Sequence, residues 1–371
     1  MCAVASILIV TFEAGGNVPP ALAVGEEFRA RGDRVRVLGH RMQRATVEAA
    51  GLEFCAYRHS PTWTPHAHHT TWTVLTMGLE MVTHPGIGRD LGDVVREDPA
   101  DLVIIDCMLL NALDAAGREG LRHVALFHTC YGFFDGSFRR GPFGIVPRLK
   151  GLGPRRLWGQ ADLALVCSDR AFDPAGGRSD DHLFWAGAVH DAKTAAVRRM
   201  PPLVLVSLST AGFPGQRAAL QNILDAVAGM DIEVVVTTGP AIDPAGFHTP
   251  ANATVHRYVP HSELMPSCSA VIGHGGHATT FRALAHGIPM VIMPMSAVTD
   301  QPGIGKAVAA AGVGQVVSKA SSPERIRGVL GEVLSTDGYR DAAAELGARL
   351  RATHAASVAV DRLSTLIGSG G

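Results

Sequence analysis

What this 371-residue chain most plainly lacks is an excess of charge of either sign: 33 Lys and Arg stand against 34 Asp and Glu. With no positive surplus to neutralise a nucleic-acid backbone or dock on anionic lipid, no nucleic-acid partner is expected. No apolar stretch approaches the roughly 20 residues needed to cross a bilayer, so no integral membrane segment is expected either. Cysteine is sparse. The six thiols (Cys2, Cys55, Cys107, Cys130, Cys167 and Cys268) are scattered and form no CxxC pair, and they read as reduced, buried groups of a cytoplasmic protein. Charged residues make up only 18% against 47% hydrophobic ones, which excludes extended disorder. The apolar opening AVASILIV lacks the basic leader of a signal peptide and runs into a Gly-rich turn and a charged helix, so it reads as a first buried strand.

What is present is enough chain for two hydrophobic cores. Short Val/Ile/Leu-rich runs alternate with helical stretches, the pattern of strands buried on both faces of a parallel sheet. In the first half the runs are Ile7 to Val10, Val35 to Leu38, Leu102 to Ile105, His123 to Phe127 and Leu163 to Val166, with an amphipathic helix near Pro20 to Arg31. The pattern restarts after Pro201 and Pro202 with Leu203 to Ser207, Glu233 to Thr237, Thr254 to Tyr258, Ala270 to Ile272, Met290 to Met293 and Gly314 to Val317. The charged stretch Asp191 to Met200 before the two prolines is the best linker candidate. The expectation is an α/β protein of two Rossmann-like domains, 1–190 and 201–349, facing a deep interdomain cleft that holds the site.

The strongest chemical signal runs from Tyr258 to Gly314. A buried strand passes through Gly273-His274-Gly275-Gly276-His277 into a helix starting near Ala278, so free amides and the positive end of the helix dipole meet at a turn where glycine permits close backbone approach. Such an end attracts a diphosphate, with Thr279 and His274 adding side-chain donors. A glycine-rich connection with no ligand is the alternative from the turn alone. A second strand ends at Pro294 before a polar loop carrying Asp300 and Gln301, a carboxylate and an amide suited to several sugar hydroxyls; taken alone, that pair also fits a solvated loop or a cap.

This segment resembles the donor-binding signature of the antibiotic and macrolide glycosyltransferases, members of the UDP-glycosyltransferase (GT1) superfamily with the GT-B fold. The aromatic-Val-Pro-polar pattern, which in that family lies against the nucleobase, appears as Tyr258, Val259, Pro260 and His261, with His where Gln is usual. HGGxGTT appears as His274, Gly275, Gly276, His277, Ala278, Thr279 and Thr280, with Ala278 for Gly, and implies phosphate contacts from His274, Gly276 and Thr279. The DQ pair for the sugar hydroxyls matches Asp300 and Gln301, but the Asn that often follows is Ile304 here, and the loop from Pro294 to Asp300 is longer than usual. LVLVSLST resembles the first strand of the family's second domain, making Ser209 and Thr210 diphosphate candidates.

The opening also resembles the family, whose first loop reads GHVNP or GDVEP; here it is Gly16, Asn17, Val18, Pro19 and Pro20. The His or Asp of that loop is the general base in many members, and a neutral amide cannot take up a proton near pH 7. The family commonly supports its His with an Asp at the end of a later strand, and DLVIID places Asp106 there. Asp106 is the first candidate base, with Asn17 orienting the acceptor; Glu13, His128 and Asp135 are the alternatives. The ordinary readings are a strand-end cap for Asp106 and a satisfied core histidine for His128. His59, His66, His68 and His69 with Trp63 and Trp72 invite a metal site, but 66, 68 and 69 do not share a helical face and no Cys or carboxylate interleaves them. A mobile acceptor loop or a solvated connection fits better.

The resemblance implies an inverting transferase that moves a sugar from a UDP- or dTDP-sugar to an apolar small-molecule acceptor, by O- or C-glycosylation. It needs no cofactor and no metal. A final helix, about 350–371, is expected to pack back on the first domain, and a homodimer is compatible with the chain. The rivals are a sugar-nucleotide epimerase or hydrolase on the same fold and a catalytically inactive helper protein.

Overall fold

The computed structural model describes residues 4–63, 71–197, 199–209 and 212–368. Among these, contacts divide the chain into two units. The first comprises 4–63, 71–189 and 354–368, and the second 190–353 apart from the undescribed positions.

The first unit is built on a seven-stranded sheet: β1 (Ser6–Val10), β2 (Arg34–Gly39), β3 (Glu53–Ala56), β4 (Leu102–Asp106), β5 (His123–Phe127), β6 (Leu163–Val166) and β7 (Leu183–Trp185). Their order is β3-β2-β1-β4-β5-β6-β7, every pair parallel. Because successive side chains point to opposite faces, one strand feeds two cores. Leu8, Val10, Val103 and Ile105 pack on one face. Ile7, Ile9, Leu102 and Ile104 pack on the other, with Val24 and Phe28 of the Val18–Ala30 helix. The Ala355–Gly368 helix lies on that second face, burying Ala359, Val360 and Leu363, and Asp361 pairs with Arg31 at 2.6 Å.

The second unit repeats the plan with six parallel strands: β8 (Leu203–Ser207), β9 (Glu233–Thr237), β10 (Ala253–His256), β11 (Cys268–Gly273), β12 (Met290–Ile292) and β13 (Gly314–Val316). The order is β10-β9-β8-β11-β12-β13. In both sheets the chain order reverses direction beside a central strand, β1/β4 and β8/β11, the switch point at which α/β sheets gather ligands beyond their carboxyl ends.

The stretch read as a linker is tied to the second unit. His286 Nδ1 bonds to Thr194 O, Ala196 N donates to His286 O, Val197 N donates to Pro266 O, and Arg282 pairs with Asp191 at 2.6 Å. The unit boundary falls between Val189 and His190.

Candidate functional site

The second unit's constellation starts at the end of β11. The strand enters the turn buried, and Gly275 then adopts φ +83°, a left-handed conformation few side chains tolerate. A Cβ at Gly275 would lie 2.9 Å from Gln301 O and 3.0 Å from Ile292 Cγ2, so the absence of a side chain lets the Gln301–Ala310 helix close on the turn. Gly276 sits just ahead of the His277–Ala285 helix, and a Cβ there would meet the His274 imidazole at 2.4 Å. His277 turns inward onto Phe281 with ring centroids 4.4 Å apart. Gly276, Ala278 and Thr279 remain half-buried, which leaves the helix end partly open.

Burial pushes the His274 pKa down to about 4, against a weaker opposing bond to the Ser207 backbone, so its ring is neutral near pH 7. Its Nδ1 is buried without a hydrogen-bond partner among the described residues. The Ser207 contact follows from register, since β11 pairs Gly273 with Ser207. Two residues on, Ser209 has φ +107°, the left-handed region in a non-glycine residue, the kind of strain that collects at functional loops. Thr210 lies outside the described residues.

Gln301 is 4% exposed, and its Oε1 accepts from Met295 N at 2.8 Å and Ser296 N at 3.1 Å, fastening the loop ahead of it. Its neighbour Asp300 is half-buried and makes no side-chain cap to the helix it precedes. The structure therefore brings His274, Gly275, Gly276 and Gln301 together at the ends of β8, β11 and β12. Tyr258 is 76% exposed and Val259 half-buried; β10 stops at His256, short of the expected Tyr258. His261 approaches Thr237 Oγ1 at 3.4 Å, and burial, then Arg282, lowers its pKa.

In the first unit a different group assembles at the end of β4. Asp106 is 2% exposed, its Oδ1 accepts from Met108 N at 2.9 Å, and its Oδ2 accepts from Asn17 Nδ2 at 3.1 Å. His128 Nδ1 stands 3.1 Å from the same oxygen. Parallel pairing sets Asp106 opposite Leu126, so the residue just past the end of β5 arrives beside the carboxylate. The ring of Phe134 meets His128 edge-on at 5.3 Å. Asn17 also donates to Phe12 O at 2.8 Å and accepts from Ala14 N at 3.0 Å.

The other two carboxylates stand apart from this trio. Asp135 is held by Arg139 at 2.9 Å and Arg178 at 2.6 Å. Glu13 Oε1 accepts from Gly15 N at 2.9 Å, while its carbonyl takes the Trp63 indole N–H. His66, His68 and His69 lie outside the described residues. His59 bonds Asp90 at 2.7 Å and, with Asp93, forms one of two described trios at metal-like spacing; the other is Asp106, Cys107 and His128. In the second trio burial pushes the Cys107 thiol well above its usual range, and the Asp106 oxygens already accept N–H donors. In the first, Asp90 accepts the main-chain N–H groups of Arg58 and His59.

Residues 221–366 match the family described as erythromycin biosynthesis protein CIII-like, C-terminal domain. The chain is 24% identical to 4'-demethylrebeccamycin synthase of Lentzea aerocolonigenes over 424 residues, covering 98% of this chain and 100% of that one. Among solved structures, the glycotransferase of kitacinnamycin superposes with TM-score 0.81 at 21% identity, covering 99% of this chain and 100% of the other. The glycosyltransferase VinC in complex with dTDP superposes with TM-score 0.71 at 19% identity, covering 98% and 100%.

Proposed function

We propose that this chain, a GT-B glycosyltransferase of the antibiotic-biosynthesis type, moves a sugar with inversion from a UDP- or dTDP-sugar to an apolar small-molecule acceptor. The observation that carries this reading is the half-open amino end of the His277–Ala285 helix behind Gly275 and Gly276. Unsatisfied amides and the helix dipole favour a diphosphate there. A neutral His274 and the Thr279 hydroxyl supply hydrogen bonds to the phosphate oxygens without a fixed positive charge.

In this reading Asp300 and Gln301 meet the sugar, Tyr258, Val259 and His261 the nucleobase, and Ser209 and Thr210 the diphosphate. Transfer proceeds as the acceptor attacks the anomeric carbon while charge develops on the departing diphosphate. Donors already aimed at those oxygens stabilise that charge more than they stabilise the bound donor, which is what lowers the barrier. The dTDP alternative has support from outside the chain, in a structural neighbour solved with dTDP.

Titration calorimetry with dTDP, UDP and GDP tests the nucleotide site, with heat expected for dTDP or UDP. No heat with any of them sinks the reading. Incubation with the sugar nucleotide alone separates an epimerase or hydrolase, which would make a new sugar without an acceptor. Binding without turnover would mark a helper protein, the alternative favoured by an amide at Asn17.

A further inference from the structure

We infer that His128 is the general base of the transfer and that Asp106 and Asn17 are its positioning residues, an assignment that rests on the glycosyl-transfer reading above. Five groups of the first unit compete for this role, and geometry separates them. Asp106 is 2% exposed and carries hydrogen-bond donors on both oxygens, so it has neither surface nor lone pairs turned toward an acceptor hydroxyl. Asn17 is 1% exposed and spends both ends of its amide on the protein. Asp135 is clamped between two guanidinium groups, and the Glu13 carboxylate folds back onto Gly15 N.

His128 differs from all four. A carboxylate that already accepts from Met108 N and the Asn17 amide accepts from the imidazole as well, so Nδ1 carries the hydrogen and Nε2 is left with its lone pair. Its side chain is 14% exposed, and Nε2 makes no hydrogen bond among the described residues. Phe134, edge-on at 5.3 Å, walls the ring on one side. A base within reach, a partner that fixes its tautomer and a rigid wall are what proton abstraction requires.

The step balances as follows. The acceptor oxygen forms a bond to the anomeric carbon as the bond from that carbon to the diphosphate oxygen breaks, and its electron pair leaves with the nucleoside diphosphate. The acceptor proton passes to His128 Nε2. Asp106, 3.1 Å from Nδ1, stabilises the imidazolium, which then returns its proton to water.

The test uses the full chain with dTDP-glucose and two acceptors that it turns over, an alcohol and a nitrophenol. An alcohol needs a base; a nitrophenol ionises readily and needs less help. His128→Gln is expected to slow the alcohol reaction by about 10²- to 10⁴-fold, with a much smaller loss on the nitrophenol and unchanged dTDP binding by calorimetry. His128→Ala should regain alcohol turnover with added imidazole. Asp106→Asn, which keeps the shape but loses the carboxylate, should show the same acceptor-dependent pattern and serves if the His128 variants fail to bind dTDP. Equal loss on both acceptors without imidazole rescue, or an alcohol rate within about threefold of the parent in His128→Gln, overturns the assignment and leaves glycosyl transfer standing. A parent chain that neither binds dTDP nor turns over any acceptor sinks the transfer reading and this inference with it.

Discussion

Asp300 and Gln301 are adjacent in sequence and differ in what they are committed to. Gln301 holds the preceding loop through two main-chain N–H groups, so truncating it would disturb the Met295–Ser296 backbone whatever its role toward a sugar. Asp300 is half-buried and gives its side chain to no helix cap. Asp300→Ala therefore tests the sugar contact without cutting the two bonds by which Gln301 holds its loop. Removal of charge-assisted hydrogen bonds worth about 1.5–3 kcal/mol should lower kcat/KM by roughly ten- to a hundredfold with dTDP affinity retained. Steady-state kinetics decide it: an unchanged kcat/KM removes Asp300 from the sugar site. The pairing of Asp106 with His128 is a residue-scale fact that reading along the chain leaves open, because the two are 22 positions apart and meet only through the register of β4 and β5.

At the scale of elements, the turn after β11 depends on missing side chains. Gly275→Ala would place a Cβ against Gln301 O and Ile292 Cγ2, one of them backbone and both in packed elements, in a conformation that costs an alanine about 1 kcal/mol or more. It should destabilise the protein by about 2 kcal/mol or more and weaken dTDP binding, read by urea denaturation and calorimetry. A variant as stable as the parent would mean that this close approach does not hold in solution. The central strands were legible beforehand because burial on both faces leaves an uninterrupted apolar run, as in LVIID and HVALF. The strands β3 (EFCA) and β7 (LFW) were not, since each is an edge strand, short and only half covered, and carries no such run. The glycine turn was legible as chemistry, whereas the commitment of Gln301 to its own loop was not, because hydrogen bonds to the main chain leave no periodic trace.

Across the whole molecule, each unit carries a histidine whose pKa is lowered to about 4 by desolvation, the buried His40 in the first and the half-buried His274 in the second. An unfolded histidine titrates near 6.5, so between about pH 6.5 and 4 the unfolded chain binds protons that the folded units refuse. Stability is thus fully present above pH 6.5 and falls as pH drops through that window. The expected result is a melting temperature that declines between pH 6.5 and 5, above the range where ordinary carboxylates protonate. A flat melting temperature over that interval would falsify the burial of these rings. That the protein has two α/β units follows from the restart of the strand pattern; that residues 190–197 side with the second unit does not, since a charged stretch before prolines carries no mark of the bonds that tie Thr194, Ala196 and Val197 down.

The Ala355–Gly368 helix closes a face of the first unit, burying Ala359, Val360 and Leu363 against a core whose other members are synthesised before residue 190. On the ribosome that face stays uncovered while residues 190 to 368 are added, an interval of about 10–40 s at about 5–20 residues per second. During that interval the face that Ala359, Val360 and Leu363 cover has no lid from its own chain. The nascent protein thus leaves an apolar face open until this helix emerges, and the order of synthesis sets how long that face must stay in water.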